Sequence, residues 1–292
     1  MKNLLSIESL PLEEMESILD AAGTVKRERG RHEQKPLAGQ VWAIIFAKSS
    51  TRTRVSFEVG IRELGGDVMF LSANDIQLGR GEPIKDTARV LGRMIHGAVI
   101  RTFAQSDVEE FARYSGIPTI NALTDEEHPC QILADMFTVR EKRGSIQGKT
   151  VAFIGDGACN VANSWIWAAA KAGFTLRIAA PTKFQPSRHL LERAGGRLET
   201  SGGSDPVSSY VFASGGTVAV TESLQWAATQ ADLLYTDVWI SMGKEAEAAE
   251  RTRILTGYQI NASLVKLAKP DALVMHCLPA YRGKEIDEAT FE

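Results

Sequence analysis

Ser49-Ser50-Thr51-Arg52-Thr53-Arg54 sets four hydroxyls and two guanidinium groups on six consecutive residues. The run follows the apolar segment Val41-Trp42-Ala43-Ile44-Ile45-Phe46 and precedes Val55-Ser56-Phe57-Glu58. That order reads as a strand, a turn and the start of a helix. The first backbone N–H groups of a helix have no intrahelical acceptor, and the helix dipole favours negative charge there. Arginine adds a planar fork suited to phosphate or carboxylate oxygens. The chemistry implied is binding of an oxyanion; the plainer alternative is a helix cap with two surface arginines.

Four other places carry groups of comparable interest. Arg101 closes the apolar run Ala98-Val99-Ile100, so it stands at a strand end, either within reach of residues 50–53 or as the surface start of a loop. His128-Pro129-Cys130-Gln131 opens a helix, with proline where a missing N–H costs nothing. His128 and Gln131, three apart, share a face and together suit a carbonyl oxygen and an amino group; a structural histidine is the alternative. In Asp237-Val238-Trp239-Ile240-Ser241-Met242-Gly243, Asp237 offers a carboxylate to an ammonium group, Ser241 a hydroxyl and Gly243 freedom to deform, as a closing loop needs. A strand-end turn with an Asx bond would use the same residues. In His276-Cys277-Leu278-Pro279 the thiol of Cys277 is a nucleophile, a structural group or a hydrogen-bonding member of a cleft. A cysteine hydrolase using His128 or His276 stays open at this point, although it leaves the arginine-rich run without a task.

Gly155-Asp156-Gly157 follows an apolar segment but does not complete a dinucleotide fingerprint, because Asn160 stands where the third glycine belongs. Asn160 is read instead as a polar contact for substrate or as a helix cap. The five histidines include no pair with metal-ligand spacing, so no metal is expected.

The elements that must position these groups alternate. Helix is expected over 6–27, with Ser9 a possible cap, then over 53–64, 84–94, 107–115, 128–140, 160–172 and 222–229. Strands are expected over 41–46, 68–71, 98–101, 117–121, 150–154, 175–179, 231–236 and 273–276. Residues 144–149 form a polar turn region. Residues 200–217, rich in Gly and Ser, read as a loop with a short strand. The fold class is α/β: two Rossmann-like domains, 1–145 and 146–292, each a parallel sheet with helices on both faces. A ligand in such sheets sits beyond the strand carboxyl ends and often in a cleft between domains.

A chain of 292 residues and net charge -3 with scattered basic residues has no footprint for nucleic acid or an anionic membrane. No apolar run has the length of a membrane span, and residues 1–15 lack the pattern of a signal peptide. Three cysteines, Cys130, Cys159 and Cys277, are too few and too scattered for a disulfide scaffold and fit a cytoplasmic location.

Taken together, Phe46-Ala47-Lys48-Ser49-Ser50-Thr51-Arg52-Thr53-Arg54, His128-Pro129-Cys130-Gln131, Asp237-Val238-Trp239-Ile240-Ser241-Met242-Gly243 and His276-Cys277-Leu278-Pro279 resemble the aspartate/ornithine carbamoyltransferase family, in order and over nearly the whole chain. Ser-Met-Gly with His-Cys-Leu-Pro points to ornithine rather than aspartate, and against putrescine or an N-acylated ornithine. The resemblance implies two α/β domains, a homotrimer or multiple of trimers with sites at subunit interfaces, and no cofactor. It implies that Ser50, Thr51, Arg52 and Thr53 hold the phosphate of carbamoyl phosphate. Arg101 would meet phosphate and carbonyl oxygens, His128 the carbonyl oxygen and Gln131 the carbamoyl amine. Gln77, in Ile76-Gln77-Leu78-Gly79, would reach a neighbouring subunit's phosphate. Asn160, Asp237, Ser241 and Met242 would contact ornithine. Cys277 and the Leu278 carbonyl would lie by the carbamoyl group, and Arg52, Arg101, His128 and Cys277 would be catalytic. Rival readings are a putrescine-type carbamoyltransferase, a non-catalytic homologue that binds ligand, and a nicotinamide dehydrogenase. Two departures stand out. Asp156-Gly157-Ala158-Cys159-Asn160 keeps one asparagine where many members have two. The family's Glu-Asn-Arg segment and final helix do not follow Glu292, from which reduced turnover and stability are expected.

Overall fold

A computed structural model of the chain describes residues 2–72, 82–201, 207–241 and 243–292, without the side chains of residues 200 and 201. The chain divides into two compact units, Met1–Phe137 and Thr138–Glu292.

In the first unit the strands β1 (Val41–Phe46), β2 (Asp67–Ser72), β3 (Gly97–Arg101) and β4 (Thr119–Leu123) form a parallel sheet in the order β2-β1-β3-β4. Its helices are α1 (Leu12–Arg27), α2 (Thr51–Glu63), α3 (Ile84–Leu91), α4 (Gln105–Ser115) and the start of α5 (Pro129–Arg143). The sheet's two faces are sorted by strand alternation. Ala43, Ile45, Ala98 and Ile100 pack on one face with Ala88 of α3 and Val108 and Phe111 of α4. Trp42, Ile44, Phe46 and Val99 pack on the other with Ile61 and Phe57 of α2. Gly97 is required where β3 passes β1, since a Cβ there would lie 2.6 Å from the Trp42 indole.

The second unit carries β5 (Thr150–Ile154), β6 (Thr175–Ala179), β7 (Arg197–Ser201), β8 (Val207–Val211), β9 (Thr217–Thr221), β10 (Leu233–Thr236) and β11 (Leu273–His276) in the order β11-β10-β5-β6-β9-β8-β7. Its helices are α6 (Asn160–Ala172), α7 (Arg188–Arg193), α8 (Leu224–Ala228), α9 (Ala248–Leu255), α10 (Ala262–Val265) and α11 (Glu288–Phe291). Trp165 of α6 meets Tyr235 and Phe174 edge-on, at 5.4 and 5.7 Å between ring centroids, and Phe153 stacks on Tyr235. Burial of each such ring contributes about 2–3 kcal/mol. Ala152, Ile154, Ala179 and Leu234 pack with Ala227 and Ala228 of α8 and Leu264 of α10.

The expected alternation of strands and helices is present, with local corrections. Helix α1 begins at Leu12 behind Pro11; Ser9 caps nothing and instead exchanges hydrogen bonds with Ser6. Helix α2 begins two residues earlier than expected, because the Ser50 hydroxyl accepts the Thr53 N–H. The second sheet is mixed rather than parallel throughout. β7 and β8 pair antiparallel and β8 pairs antiparallel with β9, so the tract expected to be a loop with a short strand carries a hairpin on the sheet edge. Among the described residues no helix is long and apolar enough to cross a membrane.

Candidate active site

In the first unit, the turn between β1 and α2 brings Ser50, Thr51, Arg52 and Thr53 to the helix N-terminus. Ser50 Oγ donates to Thr53 Oγ1 at 2.9 Å. Arg101, the last residue of β3 and only 8 % exposed, donates from Nη1 to the same Thr53 hydroxyl at 3.4 Å. β3 is the sheet neighbour of β1, with Phe46 and Arg101 in register, so the arginine is carried to the turn by the sheet itself. His128, immediately before α5, lies near Arg101. Removal of its ring from water, and secondly the Arg101 charge, lower its pKa to about 3. The imidazole is therefore neutral at physiological pH and acts as a hydrogen-bonding group beside a cation. One turn along α5, Gln131 Nε2 donates to Asp135 Oδ1 at 3.0 Å, which fixes the amide and leaves Oε1 as its acceptor end. Arg52 is exposed and Arg54 stacks on Phe70, its guanidinium 3.7 Å from the ring centre. Thus Arg101, Thr53 and His128 form one cluster, with the Arg52 side chain on the turn beside it.

Lys48, in the same motif, has a structural task that spacing does not show. It is buried, pairs with Asp125 and lies 4.4 Å from the centre of the Phe103 ring. This links the β1–α2 turn to the turn that delivers His128.

In the second unit Asp237 follows β10 and Cys277 follows β11, neighbouring strands with Thr236 and His276 in register. Cys277 Sγ donates to Asp237 Oδ1 at 2.8 Å, and the Val238 N–H donates to the same oxygen at 2.7 Å. Burial raises the Asp237 pKa, against the opposing effect of the Cys277 hydrogen bond. Leu278 adopts a left-handed backbone with φ 61°, and its N–H donates to His276 Nδ1 at 2.8 Å. His276 Nε2 then faces Glu285 Oε1 at 3.2 Å, which assigns the ring proton to Nε2. Engagement of the Cys277 thiol by a carboxylate and of His276 by Leu278 and Glu285 is not the nucleophile–base pairing of a cysteine hydrolase. Asp237, His276 and Cys277 each bring a ligand atom within 4.8 Å of the others; in this arrangement the Cys277 thiol donates to Asp237, and the His276 ring is held between the Leu278 N–H and Glu285.

The turn after β5 uses Gly155 at φ 123°, a conformation L side chains rarely adopt. Cys159, not Asn160, occupies the N-cap of α6, its sulfur accepting the Ala162 N–H at 3.4 Å. Asn160 is thereby the first helical residue. Burial, and then the Asp237 and Asp156 charges, push the Cys159 thiol well above its ordinary range, which makes it inert as a nucleophile. Asp156 meets Arg251 of α9 at 2.9 and 3.1 Å, a buried pair that ties this turn to the helix following the Ser241 segment. Burial lifts the Asp156 carboxyl to about 6 even though Arg251 opposes the shift. The Ser241 backbone carbonyl accepts the Lys244 N–H at 3.0 Å. Gln77 and Met242 lie outside the described residues. The sequence reading missed Lys48–Asp125 and Asp156–Arg251, since nothing in linear spacing joins residues so far apart.

The two halves of the chain also match family models. Residues 2–141 match the carbamoyl-P binding domain, and residues 147–292 the Asp/Orn binding domain, of aspartate/ornithine carbamoyltransferase. The ornithine carbamoyltransferase of Akkermansia muciniphila is 54% identical over 298 residues, covering 100% of this chain and 90% of its own length. That of Geobacter sulfurreducens is 45% identical over 293 residues, covering 100% and 91%. The solved structure of ornithine carbamoyltransferase from Pyrococcus furiosus superposes with a TM-score of 0.89 at 41% identity, covering 100% of this chain and 89% of that one. Two domain models in the right order and similarity along the whole chain agree with the arginine–hydroxyl–imidazole cluster in one unit and the acid–thiol cluster in the other: the chain belongs to the aspartate/ornithine carbamoyltransferase family.

Proposed function

We propose that this protein transfers the carbamoyl group of carbamoyl phosphate to the δ-amine of L-ornithine, giving L-citrulline and phosphate. The observation that carries the reading is the cluster at the β3 end, where Arg101 bonds Thr53 and borders a neutral His128 above the α2 N-terminus. A doubly charged phosphate with an adjacent carbonyl fits such a set of donors. In this reading Ser50, Thr51, Arg52 and Thr53 bind the phosphate oxygens, joined by Gln77 from a neighbouring copy in a homotrimer. Arg101 bridges phosphate and carbonyl oxygens, His128 donates to the carbonyl oxygen, and Gln131 Oε1 accepts from the carbamoyl amine. Cys277 and the Leu278 carbonyl border that group. Asp237 anchors the α-ammonium of ornithine, with Asn160, Ser241 and Met242 completing its contacts.

The neutral δ-amine attacks the carbonyl carbon, forming the C–N bond. Charge developing on the carbonyl oxygen is met by Arg101, Thr53 and His128. The C–O bond to phosphate then breaks, its electron pair leaves with phosphate, and the amine proton passes to a phosphate oxygen. Held orientation of the amine by Asp237 makes attack effectively unimolecular. The free thiols of Cys130, Cys159 and Cys277 support a cytoplasmic setting for the reaction.

The test is citrulline formation from carbamoyl phosphate and ornithine, alongside putrescine, N-acetylornithine and aspartate as competing acceptors. Ornithine is expected to be used far better than the others. Faster turnover of putrescine, or folded protein that makes no citrulline, would refute the assignment.

A further inference from the structure

Glu127 is a buried carboxylate, 3 % exposed, to which the reaction above gives no task although it directly precedes His128. Its Oε2 accepts the Ile7 N–H at 2.7 Å and its Oε1 the Glu8 N–H at 3.2 Å. The turn that holds it is closed on itself: Thr124 N–H donates to the Glu127 carbonyl at 2.9 Å, and Glu127 N–H to Thr124 Oγ1 at 3.1 Å. The partners on the other side are equally fixed. Leu4 bridges to Ile120 of β4, while Asn121 Nδ2 and Gln105 Nε2 both donate to the Leu5 carbonyl, at 2.8 and 3.0 Å. Gln105 Oε1 in turn accepts the Thr124 hydroxyl at 2.9 Å. Residues 4 and 5 therefore lie along β4, residues 7 and 8 hold the Glu127 end of the turn that leads into His128, and Gln105 joins residue 5 to its Thr124 end.

A buried carboxylate is costly unless donors satisfy it, and a negative charge one residue from an anion site opposes anion binding. A neutral side chain would avoid both costs. What the carboxylate alone supplies here is two acceptors aimed at two adjacent backbone N–H groups, a chelate that sets the backbone at 127–128. We propose that Glu127 is a positioning residue for carbamoyl transfer: by clasping residues 7 and 8 it fixes the direction in which the His128 imidazole points beside Arg101. The inference rests on the reaction assigned above and names a determinant of it outside the residues that touch substrate.

The experiment is a double-mutant cycle on kcat for citrulline formation, run well below the thermal midpoint of every variant. Glu127→Gln is expected to lower kcat about tenfold with the ornithine KM within about twofold of wild type, and His128→Ala about a hundredfold. In the double variant the losses should not multiply, because Glu127 acts through His128. Glu127→Asp, which keeps the charge but cannot reach both N–H groups, should lose kcat to a similar extent and serves if the amide variant does not fold. A purely structural role predicts a lowered thermal midpoint with wild-type kcat, and that result, or multiplying losses in the double variant, overturns the proposal. Wild-type protein that makes no citrulline refutes the reaction itself, whereas active wild type with unaffected Glu127 variants refutes only the positioning role.

Discussion

The first unit gathers cations and hydroxyls around an imidazole that burial keeps neutral; the second gathers two buried carboxylates, Asp156 and Asp237, with two thiols, Asp156 being paired with the Arg251 guanidinium. Arg101, Thr53 and His128 form a donor-rich cluster, whereas Asp237, Cys277, Asp156 and Cys159 form a carboxylate-rich one in which Arg251 pairs with Asp156. Both are built the same way, at the carboxyl ends of adjacent parallel strands. The difference teaches that the fold supplies convergence and the side chains supply the sign. In the reaction proposed above, one pole takes the acyl phosphate and the other the ammonium group.

The sharpest way to break this contrast is to remove its central cation. Arg101→Ala should lower kcat/KM for carbamoyl phosphate about a thousandfold, since the group serves both the oxyanion and the leaving phosphate. Steady-state kinetics on protein shown to be folded by circular dichroism checks it, and a loss under tenfold would remove Arg101 from the reaction. Arg52→Ala should act mainly on binding, raising the carbamoyl phosphate KM about a hundredfold, the worth of charge-assisted hydrogen bonds to phosphate. Near-normal kinetics would show that its exposed side chain does not turn to the donor. At the opposite pole Asp237→Asn should raise the ornithine KM about tenfold and leave the carbamoyl phosphate KM little changed. An equal effect on both substrates would erase the distinction between poles.

The effects on stability against pH differ in sign. His128 has its pKa lowered from 6.5 to about 3. Protonation therefore favours the unfolded chain, and the contribution of this residue is complete above 6.5 and lost as pH falls toward 3. Asp156 is raised from 3.8 to about 6. Its protonated form is the one that folding favours, so its contribution is complete below 3.8 and lost as pH rises through 6. Thermal midpoints followed across this range should show His128→Asn reducing acid sensitivity. Asp156→Asn should remove a slope of the opposite hand. Parallel changes in the two variants would contradict the assigned burial.

Much of the donor pole was legible in the sequence because it is local: Ser50 to Thr53 occupy one turn, and Arg101 ends an unmistakable apolar strand. The acceptor pole was legible only as separate strand ends, since the contact between Cys277 and Asp237 depends on the pairing of β10 with β11. Links that close over long separations left no local trace. Lys48 and Asp125 are 77 residues apart and Asp156 and Arg251 are 95 apart, so each reads alone as a solvated charge. Glu127 hides for another reason, as the last of three consecutive acids, Asp125-Glu126-Glu127. The β7–β8 hairpin was obscured by its Gly- and Ser-rich connection, whose composition signals loop while Val207-Ser208-Ser209-Tyr210-Val211 pairs as a strand.

Titration calorimetry with carbamoyl phosphate tests the separation of poles most directly. Wild type and Asp237→Asn are expected to bind it with the same affinity, while Arg52→Ala loses most of the binding. Wild-type affinity in Arg52→Ala, or its loss in Asp237→Asn, would contradict the assignment of carbamoyl phosphate to the first unit.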